Sequence, residues 1–182
     1  MFQNRCQLLE DNMKKLLFIW LLGCGFIVEA QHDVKPTSSF VISGEVKAPL
    51  TIGIADLRNF RESVIGDVVI TNHAGEKKSV AKGLKGVLLR DILAKVDFVH
   101  ETPRELSTFY FVCKANDGYT VVYSWNELFN TAVGDGVFVI TERDGQPASA
   151  LDDSVMMLST ADQKTGRRHV KALASIEIRR IR

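Results

Sequence analysis

Two β-rich runs, residues 108–115 and 119–124, are joined by Asn116-Asp117-Gly118. An Asp-Gly step between such runs is a strong turn signal, because both residues tolerate positive φ. The middle of the chain is therefore committed to an antiparallel hairpin. Around it the pattern is mixed. Residues 40–46 alternate, with Phe40, Ile42 and Val46 on one side and Val41, Ser43 and Glu45 on the other, as a half-buried strand does. Residues 55–60 read as a short helix, with Leu57 and Phe60 three apart, and 68–71 as a strand running into the polar turn 72–78. Residues 87–96 give the clearest helical pattern: Leu88, Leu89, Ile92, Leu93 and Val96 recur at 3–4 spacing, and Arg90, Asp91 and Lys95 take the other face. Ser124 and Glu127 form a capping-box pair opening another short helix. Residues 136–141, 155–159 and 174–181 are further strands, and Asp144-Gly145-Gln146-Pro147 is a turn. Strands and helices do not alternate regularly as βαβ units, so the fold class is α+β, mixed β-sheets with a few short helices.

The beginning of the chain has a different character. Met13-Lys14-Lys15 supplies a positive start, residues 16–28 are apolar, and Val28-Glu29-Ala30 offers small residues before Gln31, as at the end of a secretory signal. The apolar run is too short for a confident membrane span. Residues 1–12 are an odd preface to such a signal, which makes Met13 a candidate start. A competing cut lies at Leu21-Leu22-Gly23-Cys24, which resembles a lipoprotein box. The expected organisation is a signal over 1–30, a polar leader over 31–39 containing Pro36, and one domain over 40–182, with no transmembrane segment once the signal is removed. The expected location is periplasmic or secreted, or anchored through Cys24.

A net charge of +1 is too small for a general nucleic-acid binder, which needs a strong basic field. The charge is uneven, however. Lys164, Arg167, Arg168, Lys171, Arg179, Arg180 and Arg182 face only Glu177 in the last stretch, an anion-attracting segment on a balanced protein. After a cut at Ala30 only Cys113 remains, so stability must come from the core. Cys113 sits in an aromatic run and reads as a buried small hydrophobe; a reactive thiol would need an electropositive, accessible setting, which only Lys114 hints at. Zinc-type Cys/His pairs, phosphate-cradling glycine loops and a Gly-x-Ser-x-Gly elbow are all absent from the mature stretch.

Five segments match, in order, the pattern of another class. They are Phe40-Val41-Ile42-Ser43-Gly44-Glu45-Val46 followed by Asp56-Leu57; Lys85-Gly86-Val87-Leu88-Leu89-Arg90-Asp91-Ile92-Leu93; Asp117-Gly118-Tyr119 before Ser124; Asp144-Gly145-Gln146-Pro147; and Gly166-Arg167-Arg168-His169-Val170-Lys171. Together they resemble the molybdopterin-binding domain of the sulfite oxidase family over most of the mature chain. The resemblance implies a sulfite-oxidase-type fold and places Tyr119 at the family's active-site tyrosine. It also places Arg168, His169 and Lys171 near the pterin pyranophosphate. The chain departs from the family at the metal. Asn72 or His73 falls where the family's molybdenum-binding cysteine stands, and a thiolate is a soft anionic ligand whereas an amide is not. Imidazole does bind metals, but His73 has no partner ligands nearby in sequence and also reads as a surface-turn residue. Lys77 and Lys78 keep positive charge where family arginines would follow. Lys85 replaces the tryptophan of the family's helix motif. The leader carries Lys14-Lys15 and no twin arginine, which suggests export unfolded and without a cofactor inside.

The expected site is thus Asn72, His73, Tyr119, Arg168, His169 and Lys171, with no metal ligand set and no catalytic residue unless Tyr119 acts as one. The bland alternatives are a solvated basic turn for Arg168, His169 and Lys171, and a strand aromatic covering the core for Tyr119. The leading expectation is an exported protein that binds a small anionic or pterin-like ligand, or a partner protein, without molybdenum redox catalysis. The alternatives are a molybdopterin-dependent oxidoreductase with a non-cysteine site, and a structural or adaptor module of an exported assembly. Fold resemblance alone does not decide among them.

Overall fold

The computed structural model describes residues 35–182. The expected signal over 1–30, with its cuts at Ala30 or Cys24, lies outside the described residues. The chain forms two β-sheets with two short α-helices and several 3-10 turns, an α+β arrangement dominated by strands. The first sheet contains β1 (Ser39–Gly44), β2 (Leu50–Gly53), β5 (Phe109–Ala115), β6 (Thr120–Ser124) and β10 (Leu173–Arg180), in the order β2-β1-β10-β5-β6. Only β1 and β10 run parallel, with Ile42 beside Ile176. The second sheet contains β3 (Glu62–Thr71), β4 (Lys77–Leu88), β7 (Val137–Arg143), β8 (Gln146–Pro147) and β9 (Met156–Ser159), and both β8 and β9 pair with β7. Helices α1 (Leu89–Leu93) and α2 (Trp125–Phe129) follow β4 and β6.

Side chains from both sheets and both helices build one large core, including Phe40, Ile42, Phe111, Ile92, Leu128 and Val139. The second sheet also buries its other face. Val137 and Val139 of β7 enter the large core, whereas Phe138 and Ile140 join Leu84, Ile70 and Leu158 in a smaller cluster. A strand buried on both faces needs an unbroken apolar run, and residues 137–140 supply one.

The expected helix over 87–96 is corrected. Gly86, Val87 and Leu88 instead pair with Ile140, Val139 and Phe138 as the end of β4. The apolar spacing fits both forms locally, and strand pairing at 86–88 satisfies β7 backbone groups that a helix there would leave unpaired. Helical bonding begins at Leu89 and fades into short bonds from Lys95 to Ile92 and from Val96 to Leu93. Strand β2, the first half of β3 and most of β4 were also missed, because they are polar or glycine-containing edge segments with weak alternation. Two turns exchange character. At the 116–118 turn only Gly118 has positive φ (88°), whereas Asp144 (53°) and Gly145 (74°) both do. The β7–β8 connection is therefore the two-residue hairpin turn that Asp-Gly favours. The capping box is as read: Glu127 N–H donates to Ser124 Oγ at 3.1 Å, and Ser124 N–H to Glu127 Oε2 at 2.8 Å.

Candidate functional site

Three loops meet around one cleft: the β3–β4 turn, the tip of the β5–β6 hairpin, and the 3-10 turn Thr165–Arg168. Asn72 shapes the first. Its Oδ1 accepts from the N–H groups of Ala74 (3.0 Å) and Glu76 (2.9 Å), and its Nδ2 donates to Glu76 Oε2. The third lies directly on β3, because residue 166 is glycine; a Cβ there would sit 1.8 Å from the Thr71 carbonyl oxygen. Thr165 fixes the contact by accepting from Thr71 N–H (3.1 Å) and donating to the Val69 carbonyl (2.6 Å). Arg167 then reaches the His73 carbonyl at 3.2 Å. Tyr119 closes the triangle. Its backbone N–H caps Asp117 in the hairpin turn, and its hydroxyl donates to the Arg167 carbonyl at 2.6 Å.

These loops enclose a cleft of about 460 Å³ lined by Asn72, His73, Tyr119, His169 and Lys171, together with Lys78, Arg167, Thr71, Ile70 and Gly166. Five of the six residues singled out in the sequence thus share one cleft. Tyr119 is 42% exposed, so it bridges two loops rather than covering the core. Lys78, Arg167 and Lys171 put three cations around the space, and no carboxylate lines it. Among the described residues Lys78 and Arg167 form no ion pair, while Lys171 is held by Asp153 at 3.1 Å. The Asp153 side chain is mostly buried. Burial pushes its carboxyl up, but hydrogen bonds and charge from Lys171 and Arg143 outweigh burial and hold it below the ordinary value. His169 is pulled down to about 4, first by burial and then by the positive charge of Lys171, so it is neutral at pH 7. Its Nε2 lies against Met156 Sδ.

Arg168 is the exception, and the expectation that it joins Tyr119 in the cleft is corrected. Its side chain turns inward. Nε donates to Asp162 Oδ2 at 2.7 Å, Nη1 to Glu127 Oε1 at 3.0 Å, and the guanidinium carbon stands 4.2 Å from the Tyr123 ring centroid. The bond to Asp162 holds the guanidinium even more firmly protonated than usual. The rest of the basic segment is also more neutralised than its sequence suggests: Arg179 pairs with Glu177, and Arg180 with Glu105 and Glu45. Glu177 lies two residues before Arg179 on the same strand, whereas Glu45 and Glu105 come from distant parts of the chain, so no sequence pattern shows those two. Arg167 was missed as a site residue. Two adjacent arginines in a turn point to opposite sides, and nothing in the sequence says which faces the cleft.

A molybdenum centre does not fit this donor set. The cleft offers His73 and His169 but no thiolate, Asn72 is engaged in its turn, and Cys113 lies fully buried in β5, its thiol pushed up to about 12 by burial. No group of three or more metal-binding side chains occurs among the described residues.

No protein-family description matches the chain, and no curated protein matches it. Among solved structures its fold is similar to that of the sulfane dehydrogenase SoxCD from Paracoccus pantotrophus, with a TM-score of 0.55 and 12% sequence identity. The likeness covers 80% of this chain, which spans 40% of the SoxCD chain. At that identity the likeness is one of fold.

Proposed function

We propose that this protein is a sulfite-oxidase-type fold whose cleft binds a small anionic ligand, of which a phosphate-bearing pterin is the leading candidate, without molybdenum redox chemistry. One observation carries the reading: Lys78, Arg167 and Lys171 surround a space that no carboxylate lines. A concave site with a few convergent polar groups suits a small ligand. Arg167 offers a planar fork to phosphate oxygens, Lys78 and Lys171 offer point charges, and the Tyr119 ring offers an aromatic edge. The fold likeness to SoxCD and the ordered sequence resemblance support the scaffold, and the absence of a thiolate from the cleft argues against the oxidoreductase reading.

Calorimetric titration with inorganic pyrophosphate, and then with a pterin phosphate, tests the proposal. Saturable binding is expected. Arg167→Ala or Lys171→Ala should weaken it about tenfold or more, since each charge-assisted contact contributes on the order of 1.5–3 kcal/mol. Absence of saturable binding, or unchanged affinity in both variants, would overturn it. Near-equimolar molybdenum in protein from its native host would instead establish a metal site.

A further inference from the structure

The two strands at the free side of the second sheet treat their open edges differently. The outer edge of β3 is covered where it passes the cleft, because the buried Thr165 hydroxyl binds both Thr71 N–H and the Val69 carbonyl, taking the place of a neighbouring strand. β4 has no such cover. It pairs with β7 only from Lys85 to Leu88, and the bond from Asp144 N–H to the Lys82 carbonyl (2.9 Å) prolongs that contact by one turn. Between Lys78 and Lys82, among the described residues, no strand lies beside this edge.

The register shows which groups face the open side. Gly83 N–H donates to Asp67 on β3 at 2.9 Å, whereas the Lys82 carbonyl faces the other way. Val69 pairs with Val80 and Val68 with Ala81 in unbroken succession, and the Val69 carbonyl points away from β4 to Thr165. Backbone groups alternate along a strand, so Val80 presents its N–H and C=O on the same open side as Lys82. The edge opens into a second cleft of about 440 Å³, walled by Arg143, Asp144, His169 and Lys171 and continuous with the first through Lys78, His169 and Lys171; Asp144 is its one acidic residue.

We propose that an extended acidic peptide segment of a partner protein adds to this edge of β4 as a further strand, pairing with both backbone groups of Val80 and with the Lys82 N–H, and setting its carboxylates against Lys78 and Lys82. Main-chain pairing supplies affinity in such strand addition, and side chains supply choice. Exposed edge strands recruit other strands unless blocked. Here Lys78 and Lys82 form no ion pair among the described residues, and they would meet their own like charges if a second copy docked edge to edge. The same lysines attract a segment rich in Asp and Glu. The two readings share Lys78 but can be separated, because Val80 and Lys82 line the second cleft and not the first.

The test is selection of random peptides displayed on phage against the folded full chain, followed by amide exchange of the protein with a selected peptide bound. Expected are binders enriched in Asp and Glu, slower exchange at the Val80 and Lys82 amides, and at least tenfold weaker binding by Val80→Pro, which removes an outward N–H that β3 does not use. Lys82→Glu, which lies outside the first cleft, should weaken the same peptides at least tenfold while leaving pyrophosphate affinity unchanged, and it decides the matter if Val80→Pro misfolds. Pyrophosphate affinity should be unchanged in Val80→Pro, so loss of peptide binding is distinguishable from failure of the anion site. Binders without acidic bias, binders that leave the Val80 and Lys82 amides unprotected, or no binders at all would overturn the proposal. So would protection of those amides that rises with protein concentration without peptide, because the occupant would then be a second copy.

Discussion

Arg167 and Arg168 are neighbours with opposite tasks, and replacing each with alanine separates stability from binding. Arg168→Ala removes two bonds to Asp162, one to Glu127, and the contact with the Tyr123 ring. Asp162, whose side chain is only 13% exposed, would keep just the Ser159 hydroxyl as a partner, at 2.8 Å. Leaving a buried charge unpaired costs about 3–5 kcal/mol. The Glu127 arm adds little, because Glu127 is more than a third exposed and water rescues it. The lower end, about 3 kcal/mol, is therefore expected. In urea this lowers the unfolding midpoint by roughly 1–2 M without changing the slope. Arg167→Ala breaks one exposed bond to the His73 carbonyl and should change stability by less than about 0.5 kcal/mol, yet weaken pyrophosphate at least tenfold. Adding Asp162→Asn to Arg168→Ala should recover part of the loss, since the orphaned charge is its main source. If Arg168→Ala unfolds at the wild-type midpoint, or if Arg167→Ala is the destabilised protein, the assignment of the two side chains is wrong.

Three further outcomes follow from buried groups. His169 falls from the ordinary 6.5 to about 4 in the folded chain, so between those values the unfolded chain binds more protons and stability is lost as pH drops, by up to about 3 kcal/mol; urea midpoints at pH 7 and pH 4.5 should show this slope, and His169→Gln should flatten it. Tyr123 buries its hydroxyl with no partner among the described residues, so Tyr123→Phe should leave stability unchanged or raise it by about 1 kcal/mol; a clear loss in thermal unfolding would reveal a bond from that hydroxyl. Cys113 is fully buried with its thiol pushed up to about 12, so thiol reagents should label it only on unfolding, and Cys113→Ser should cost about 1–3 kcal/mol in urea; rapid labelling of the native protein would contradict this.

Local chemistry determined much of this protein from the sequence alone. The 109–124 hairpin, the Ser124–Glu127 cap, the strands β1, β7, β9 and β10 and the burial of Cys113 were legible there, because turn residues, caps and apolar alternation act within a few positions. The site was legible only as a set of candidates: Asn72, His73, Tyr119, His169 and Lys171 lie almost a hundred residues apart at the extremes and meet in one cleft. Tertiary structure decided the rest. It turned 87–88 from helix into the end of a strand, because β7 offered a ladder there, and it paired 77–84 with β3. It sent Arg168 inward to Asp162 and left Arg167 on the cleft, because Gly166 lets the turn press against β3 and so fixes which way each side chain leaves it. It also paired Arg168, Lys171 and Arg180 with carboxylates brought from other parts of the chain. Charge pairing and edge exposure depend on which strands become neighbours, and neighbours distant in sequence are set by packing the whole core.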